Sequence, residues 1–138
     1  MKEKSKSYQT SAKTMYAALS ILFKNGGSMP IRVLMKEIEK AVELSSWEKE
    51  TLQNTGNIRW QSNMHFTSVD YVRAGFLIKK KRTWTITPEG EEALKLGPEK
   101  LRDIAWKRYK RGIVLKNMLI QRNRFPIQTR RMTLLKRH

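Results

Sequence analysis

Two polar groups in the middle of the sequence contain the residue types that contact nucleic acid. The first is a short segment rich in amides, hydroxyls and basic side chains: Asn57, Arg59, Gln61, Ser62, Asn63 and His65. Amide and guanidinium groups can form paired hydrogen bonds with base edges in the major groove. We interpret these residues as the exposed early face of a base-contacting helix. The alternative is an ordinary solvated helix face.

The second group is a run of four consecutive basic residues: Lys79, Lys80, Lys81 and Arg82. Two β-prone segments flank the run, which predicts that it lies at the tip of a β-hairpin. Cationic side chains there suit phosphate contacts, which release counterions but carry no sequence information. The alternative is a solvated hairpin whose lysines discourage edge-to-edge aggregation.

Four aromatic residues lie near these groups: Trp47, Trp60, Phe66 and Trp84. Aromatic rings can stack on bases, but apolar residues at helix or strand spacing usually fill a core. We therefore predict that Trp60 and Trp84 are core residues. Phe66 is the alternative to His65 as the exposed residue of its turn, and His65 is interpreted as a packing or phosphate-contact residue.

The sequence contains few groups that could perform catalysis or bind a metal. It has no cysteine and two histidines, so it offers no thiolate zinc site and no cysteine nucleophile. Its glutamates cluster on predicted helix faces and first turns, where carboxylates have structural roles. We predict a protein that is not an enzyme and that has no cofactor, no metal and no small-molecule substrate.

The charge indicates a polyanionic partner. The 138 residues include 29 Lys+Arg and 12 Asp+Glu, a net charge of +17. Residues 99–138 contain 13 of the basic residues and only two acidic ones, and Arg130 and Arg131 are further candidate contacts there. The attraction favours nucleic acid, with double-stranded DNA first. No apolar run approaches the roughly 20 residues of a membrane span, which favours a cytoplasmic protein and argues against a membrane role.

Apolar spacing and capping residues predict mainly helices with one β-hairpin. The predicted elements are a helix over 11–24 capped by Ser11, a brief extended piece at 28–30, a helix from Pro30, a short helix over 46–53, a helix over 58–74 with Val69 or Ser68 and Val72 inside, a hairpin over 76–87, and a helix over 88–96. This order predicts a winged helix-turn-helix plus a C-terminal helical extension and basic tail.

The predicted organisation has four parts: a flexible basic leader at 1–11, a winged-helix domain at 12–97, an amphipathic helical extension at 98–123 and a basic tail at 124–138. The extension has apolar stripes that suit a homodimer or larger complex. The alternative is packing against its own first helix.

The segment from Arg59 to Leu94 resembles the N-terminal winged-helix domain of Mrr-type modification-dependent restriction systems. The matching features are Arg73-Ala74-Gly75-Phe76-Leu77 at the end of the third helix and Trp84-Thr85-Ile86-Thr87-Pro88-Glu89-Gly90 at the end of the wing. The resemblance covers about 12–96 and implies DNA contact through that helix and wing. Asn63 stands where the family usually has arginine. The sequence also lacks the Asp/Glu-x-Lys element of the family's nucleases, which favours recognition without cleavage.

The leading hypothesis is a non-catalytic protein that binds duplex DNA through 58–74 and the wing at 79–82. It would act as a regulator or as a recognition subunit of a defence or mobile-element complex. One alternative is an RNA-associated structural subunit of a ribonucleoprotein. Another is a protein-interaction module that uses 98–123.

Overall fold

The computed structural model describes residues 5–108, divided among helices and three short strands. In chain order the elements are α1 (Lys6–Lys24), β1 (Ser28–Pro30), α2 (Ile31–Ala41), α3 (Arg59–Arg73), β2 (Leu77–Lys80), β3 (Thr83–Ile86) and α4 (Pro88–Ala93), which a single 3-10 turn at Leu94–Leu96 follows. Residues 98–108 are helical as well and are called α5. Residues 1–4 of the predicted leader, 109–123 of the predicted extension and the predicted tail at 124–138 lie outside the described residues.

The three strands form one antiparallel sheet in the order β1-β3-β2. Trp84 of β3 is paired with Met29 of β1 on one side and with Lys79 of β2 on the other. The described residues are thus mainly helical with a small antiparallel sheet, as a winged helix requires, and the predicted fold class is confirmed. The link between α2 and α3 covers residues 42–58. It is therefore much longer than the turn of about three to four residues in simple helix-turn-helix motifs.

The core lies between α1, α2, α3 and the inner face of the sheet. Its large buried members include Met15, Leu19, Leu22, Leu34, Ile38, Trp60, Met64, Tyr71, Phe76, Leu77, Trp84 and Leu101. Burial of Trp60 and Trp84 confirms their predicted core role. The predicted inward position of Val72 is wrong, because Thr67 and Tyr71 complete the buried arc of α3 with Trp60 and Met64. Successive helical residues are about 100° apart, so Val72 points away from that arc.

Helix α1 begins six residues earlier than the predicted N-cap, Ser11, implies. Its N-cap is Ser5, whose Oγ accepts a hydrogen bond of 3.1 Å from Tyr8 N. Ser11 is buried inside the helix, so its predicted capping role and the flexible leader over 6–11 are both wrong. The polar composition misled the prediction because the hydroxyl groups are satisfied internally. Ser11 Oγ donates to Tyr8 O and accepts from Arg102 Nε.

The short helix predicted over 46–53 is absent, and the chain forms a turn there instead. The predicted capping contacts do form, since Ser45 N donates to Glu48 Oε1 (2.8 Å) and Glu48 N donates to Ser45 Oγ (3.2 Å). The carbonyls of Glu48 and Glu50 accept from Trp60 N and Arg59 N, the first amides of α3. Because these carbonyls cap α3, they do not continue a helix of their own.

Glu48 joins this turn to α1. The residue is 5% exposed. Its carboxylate accepts hydrogen bonds from Thr10 Oγ1, from Lys13 Nζ at 2.9 Å and from Ser45 N. Burial alone would raise the pKa of Glu48, but the hydrogen bonds from Thr10, Lys13 and Ser45 outweigh it and hold the pKa below its usual value. The ionised carboxylate therefore stabilises the fold above the pKa of the unfolded chain, and this contribution is lost as the pH falls through the lower folded-state pKa.

Glu48→Gln is expected to lower the free energy of unfolding by about 2 kcal/mol at neutral pH, because charge-assisted hydrogen bonds are replaced by neutral ones. The difference from the wild type should shrink towards zero once the pH falls below the folded-state pKa of Glu48. Urea unfolding at several pH values measures it. Glu43→Gln, which removes the same charge from an exposed side chain, is the control. An equal effect of both substitutions at every pH would contradict the assignment.

Helix α5 packs against its own chain. Leu101 and Ala105 are fully buried in the core, and Tyr8 Oη donates to Asp103 Oδ1. Arg102 Nη1 bonds Asp70 Oδ2 of α3 at 3.1 Å. Residues 98–108 of the predicted extension therefore pack against α1 and α3. Packing against its own first helix was the alternative that the apolar spacing had left open.

Candidate nucleic-acid interface

The wing meets the first turn of α2 through its tip. The turn between β2 and β3 consists of Lys81 and Arg82, which have positive φ angles of 50° and 63°. This backbone matches the right-handed twist of paired strands, but it usually requires Gly, Asn or Asp. Here Ile31 N donates to Arg82 O at 2.8 Å, which attaches the turn to the start of α2. The contact fixes the backbone of Arg82 beside the first turn of α2.

Gln61 and His65 lie one helical turn apart on the side of α3 that faces this tip. Together with Arg82 and Arg32 they line a concavity of about 440 Å³. Its remaining lining residues are Pro30, Ile31, Val33 and Met35. Two guanidinium groups, one amide and one imidazole therefore surround a single open space, and no carboxylate lines it.

His65 lies at the junction of α3 and the wing. Its ring contacts the Trp84 ring edge-on, with centroids 5.8 Å apart and an angle of 87° between the planes. Burial lowers the pKa of His65, and the nearby Lys79 cation lowers it further. The imidazole is therefore mainly neutral at neutral pH and can accept as well as donate a hydrogen bond.

The four basic residues of the wing do not point in one direction. Lys79 Nζ donates to Ser68 Oγ of α3 at 2.8 Å and lies 5.1 Å from the centre of the Trp84 ring. Burial lowers the pKa of Lys79. Because side chains alternate along a strand, Lys80 lies on the opposite face of the sheet. Lys81 and Arg82 form the turn, so the run divides among three directions.

The predicted contact residues that lie apart from the concavity include Arg59, Asn63 and Asn57. Arg59 Nη1 donates to Trp47 O (2.7 Å) and Glu50 Oε1 (2.8 Å), with its guanidinium 4.4 Å from the centre of the Trp47 ring. Asn63 Nδ2 donates to Ser7 O of α1 at 3.3 Å. Asn57 is exposed in the preceding loop, where its N–H donates to Thr55 Oγ1. Arg59 and Asn63 thus contact neighbouring parts of this chain, on the far side of α3 from Gln61.

Two residues of this surface were not among the predicted contacts. Arg32 reaches the concavity from the first turn of α2, and only the contact between that turn and the wing tip brings it there. Phe66 is 84% exposed on α3. The sequence had left His65 or Phe66 open as the exposed residue of this turn, and both are exposed. The spacing of four residues from Ser62 places Phe66 and Ser62 on one face of α3.

The remaining predictions concern the basic tail, metal binding and membrane spans. Arg130 and Arg131 lie outside the described residues. Within 5–108, no group of three or more His, Asp or Glu side chains is arranged to hold a metal ion. In the same range, none of the helices has the length and apolarity needed to cross a membrane.

A helical domain with a β-hairpin wing and a basic concavity beside its third helix is the arrangement found in DNA-binding modules. Residues 12–96 match the family model described as the Mrr N-terminal domain, and the chain belongs to this family. Neither a curated protein nor a solved structure matches the chain. The match confirms the resemblance seen in the sequence. It indicates a DNA-related role in restriction systems for this non-catalytic domain of the family.

Proposed function

We propose that this protein is a non-catalytic binder of duplex DNA that places α3 in the major groove and the wing on the sugar-phosphate backbone. It would serve as a regulator or as the recognition subunit of a defence or mobile-element complex. The observation that carries the proposal is the concavity where Gln61 and His65 of α3 meet Arg82 of the wing and Arg32 of α2. Four groups that can donate hydrogen bonds converge there from three elements.

The concavity suits a backbone phosphate. Guanidinium groups can bond phosphate oxygens through two parallel hydrogen bonds. The first turn of α2 contains no acidic residue, and its N-cap Pro30 makes no side-chain cap. Apart from Ile31 N, which donates to Arg82 O, the first amides of α2 and the helix dipole therefore add to the positive potential at the same place. A phosphate bound between Arg32 and Arg82 would hold α3 in a fixed register on the duplex.

The N-terminal half of helix α3 is held in place by two contacts with neighbouring segments, which leave its outer face available. Arg59 holds its first turn to the preceding loop, and Asn63 contacts α1. We therefore assign Arg59 and Asn63 to positioning of the helix, and Gln61, Ser62 and His65 to the surface that enters the groove. The major groove, about 12 Å wide, admits an α-helix.

A competition titration tests the proposed partner. A labelled short DNA duplex of random sequence is bound by the full chain, and unlabelled DNA duplex or structured RNA of equal length then competes, followed by fluorescence anisotropy. The duplex DNA is expected to compete better at every salt concentration. Stronger competition by the RNA would overturn the proposal in favour of a ribonucleoprotein subunit.

A second measurement tests the proposed surface. Amide chemical shifts of the isotope-labelled full chain are followed as the same duplex is added. The largest changes are expected within 61–66, 79–82 and the first turn of α2. Changes confined to 98–108 would contradict the placement of α3 in the groove.

Affinity for DNA is expected to rise as the pH falls from about 7.5 to about 5.5. In the free protein, burial and Lys79 keep the pKa of His65 low, and Arg82 and Arg32 add positive charge around the same concavity. A bound phosphate would raise this pKa, and each unit of difference corresponds to up to about a tenfold gain in affinity. Anisotropy titrations over this pH range measure the effect. His65→Gln should flatten the dependence, and an unchanged dependence in this variant would contradict the role of His65.

A further inference from the structure

Phe66 is the most exposed large apolar side chain among the described residues, with 84% of its surface accessible. Phe66 belongs to a stripe of residues along one face of α3. Residues Ser62, Phe66, Val69 and Arg73 follow at spacings of four, three and four residues, which places them on one helix face. Val69, 40% exposed, extends the apolar surface by one turn. The middle of this face is therefore apolar although its flanks are polar.

This apolar surface lies beside cationic groups. The preceding residue, His65, lines the concavity with Arg32 and Arg82, and Arg73 lies on the same face of α3 as Phe66. A partner that covers Phe66 must therefore be compatible with positive charge nearby. A DNA duplex fulfils both conditions, because it combines phosphates with one apolar group on the floor of the major groove, the C5-methyl group of thymine.

We propose that Phe66, assisted by Val69, is a specificity-determining residue that contacts the C5-methyl group of thymine in the major groove. The inference rests on the proposed function, since it requires α3 to lie in that groove. Contact between the ring and the methyl group buries apolar surface of both, and each Å² buried contributes about 25 cal/mol to the affinity. Thymine would be preferred over cytosine and over uracil at the base pair beneath Phe66.

Replacing thymine by uracil tests the inference, because it removes only the methyl group and keeps Watson–Crick pairing. A random-sequence DNA duplex library is first enriched on the full chain, and the selected duplex is then synthesised with uracil at each thymine in turn. At least one uracil is expected to weaken binding about fourfold, the value of one buried methyl group. Equal affinity for all uracil duplexes, or selection without any fixed thymine, would overturn the inference.

Variants assign the effect to Phe66. Phe66→Ala should bind the thymine and uracil duplexes equally, with the salt-dependent part of its affinity unchanged. Phe23→Ala is the matched control, since Phe23 is a 53% exposed phenylalanine of α1. It should retain the wild-type preference. If Phe66→Ala kept the preference for thymine, or lost self-association without any change in DNA binding, the inference would be overturned. Failure of the proposed function would look different, because then the wild type would bind neither duplex.

Discussion

Replacing Arg32 and Arg82 together by glutamine is expected to weaken binding to duplex DNA by roughly 60-fold at about 0.1 M salt. Both guanidinium groups line the concavity between α2, α3 and the wing, and each is proposed to neutralise one phosphate. The linear relation between log affinity and log salt gives a factor of about eight for each lost phosphate contact at that salt concentration. Glutamine keeps much of the length of the side chain and removes its charge.

The salt dependence tests this explanation independently of the affinity. The slope of log affinity against log salt should become less negative by about 1.8 in the double variant. The matched control is Lys24→Gln with Lys95→Gln, which removes two positive charges from the groove between α1 and α4. That groove shares no residue with the concavity. Equal losses in both double variants would show that net charge alone determines the affinity, and the placement of the phosphate would then be wrong.

The loss should also be uniform across sequences. Phosphate contacts set the register of a protein on the duplex without reading bases. The Arg32 and Arg82 variant should therefore keep its preference for thymine over uracil while its affinity becomes less dependent on salt, whereas Phe66→Ala should lose that preference and keep the salt dependence of the wild type. Opposite behaviour of the two variants would separate backbone contacts from base contacts on the same helix.

The sequence predicts the elements of the fold best where signals at several positions agree. Helix α3 was predicted over 58–74 and extends from Arg59 to Arg73. The start of α4 was correctly predicted at Pro88, because a capping residue is followed there by proline and acidic residues. The Oγ1 atom of that capping residue, Thr87, accepts from Gly90 N at 2.9 Å. The start of α1 escaped prediction because its first turns are polar. Their hydroxyl groups are satisfied by residues distant in the sequence, such as Glu48 and Arg102.

The composition of the concavity is less visible in the sequence. Gln61 and Asn63 are chemically alike, but they are two residues apart on a helix and so point in nearly opposite directions. Gln61 faces the wing, while Asn63 contacts Ser7. Arg32 enters the site only because the turn at Arg82 accepts a hydrogen bond from Ile31. Such contacts between distant segments follow from tertiary packing and leave no local pattern.

Gly90 is the position where the smallest substitution is expected to have the largest effect on stability. It lies in the first half of α4, at the point where this helix crosses the base of the hairpin. A Cβ atom placed there would lie 2.4 Å from Phe76 O and 2.9 Å from Ile86 Cγ1. Phe76 O already accepts a hydrogen bond from Thr87 N at 3.1 Å. The carbonyl cannot move away without loss of that bond, which holds the start of α4 to the end of α3.

Gly90→Ala is therefore expected to lower the free energy of unfolding by about 3 kcal/mol, at the upper end of the usual cost of overpacking. Intrinsic helix propensity predicts the opposite sign, because alanine in a helix is favoured over glycine by about 1 kcal/mol. Urea or thermal unfolding therefore distinguishes close packing from propensity by the sign of the change. Glu89→Ala, at an exposed position of the same turn, should cost at most about 1 kcal/mol. A Gly90→Ala variant as stable as the wild type would mean that α4 lies farther from the hairpin, and that the wing is less firmly attached to the domain that must place it on DNA.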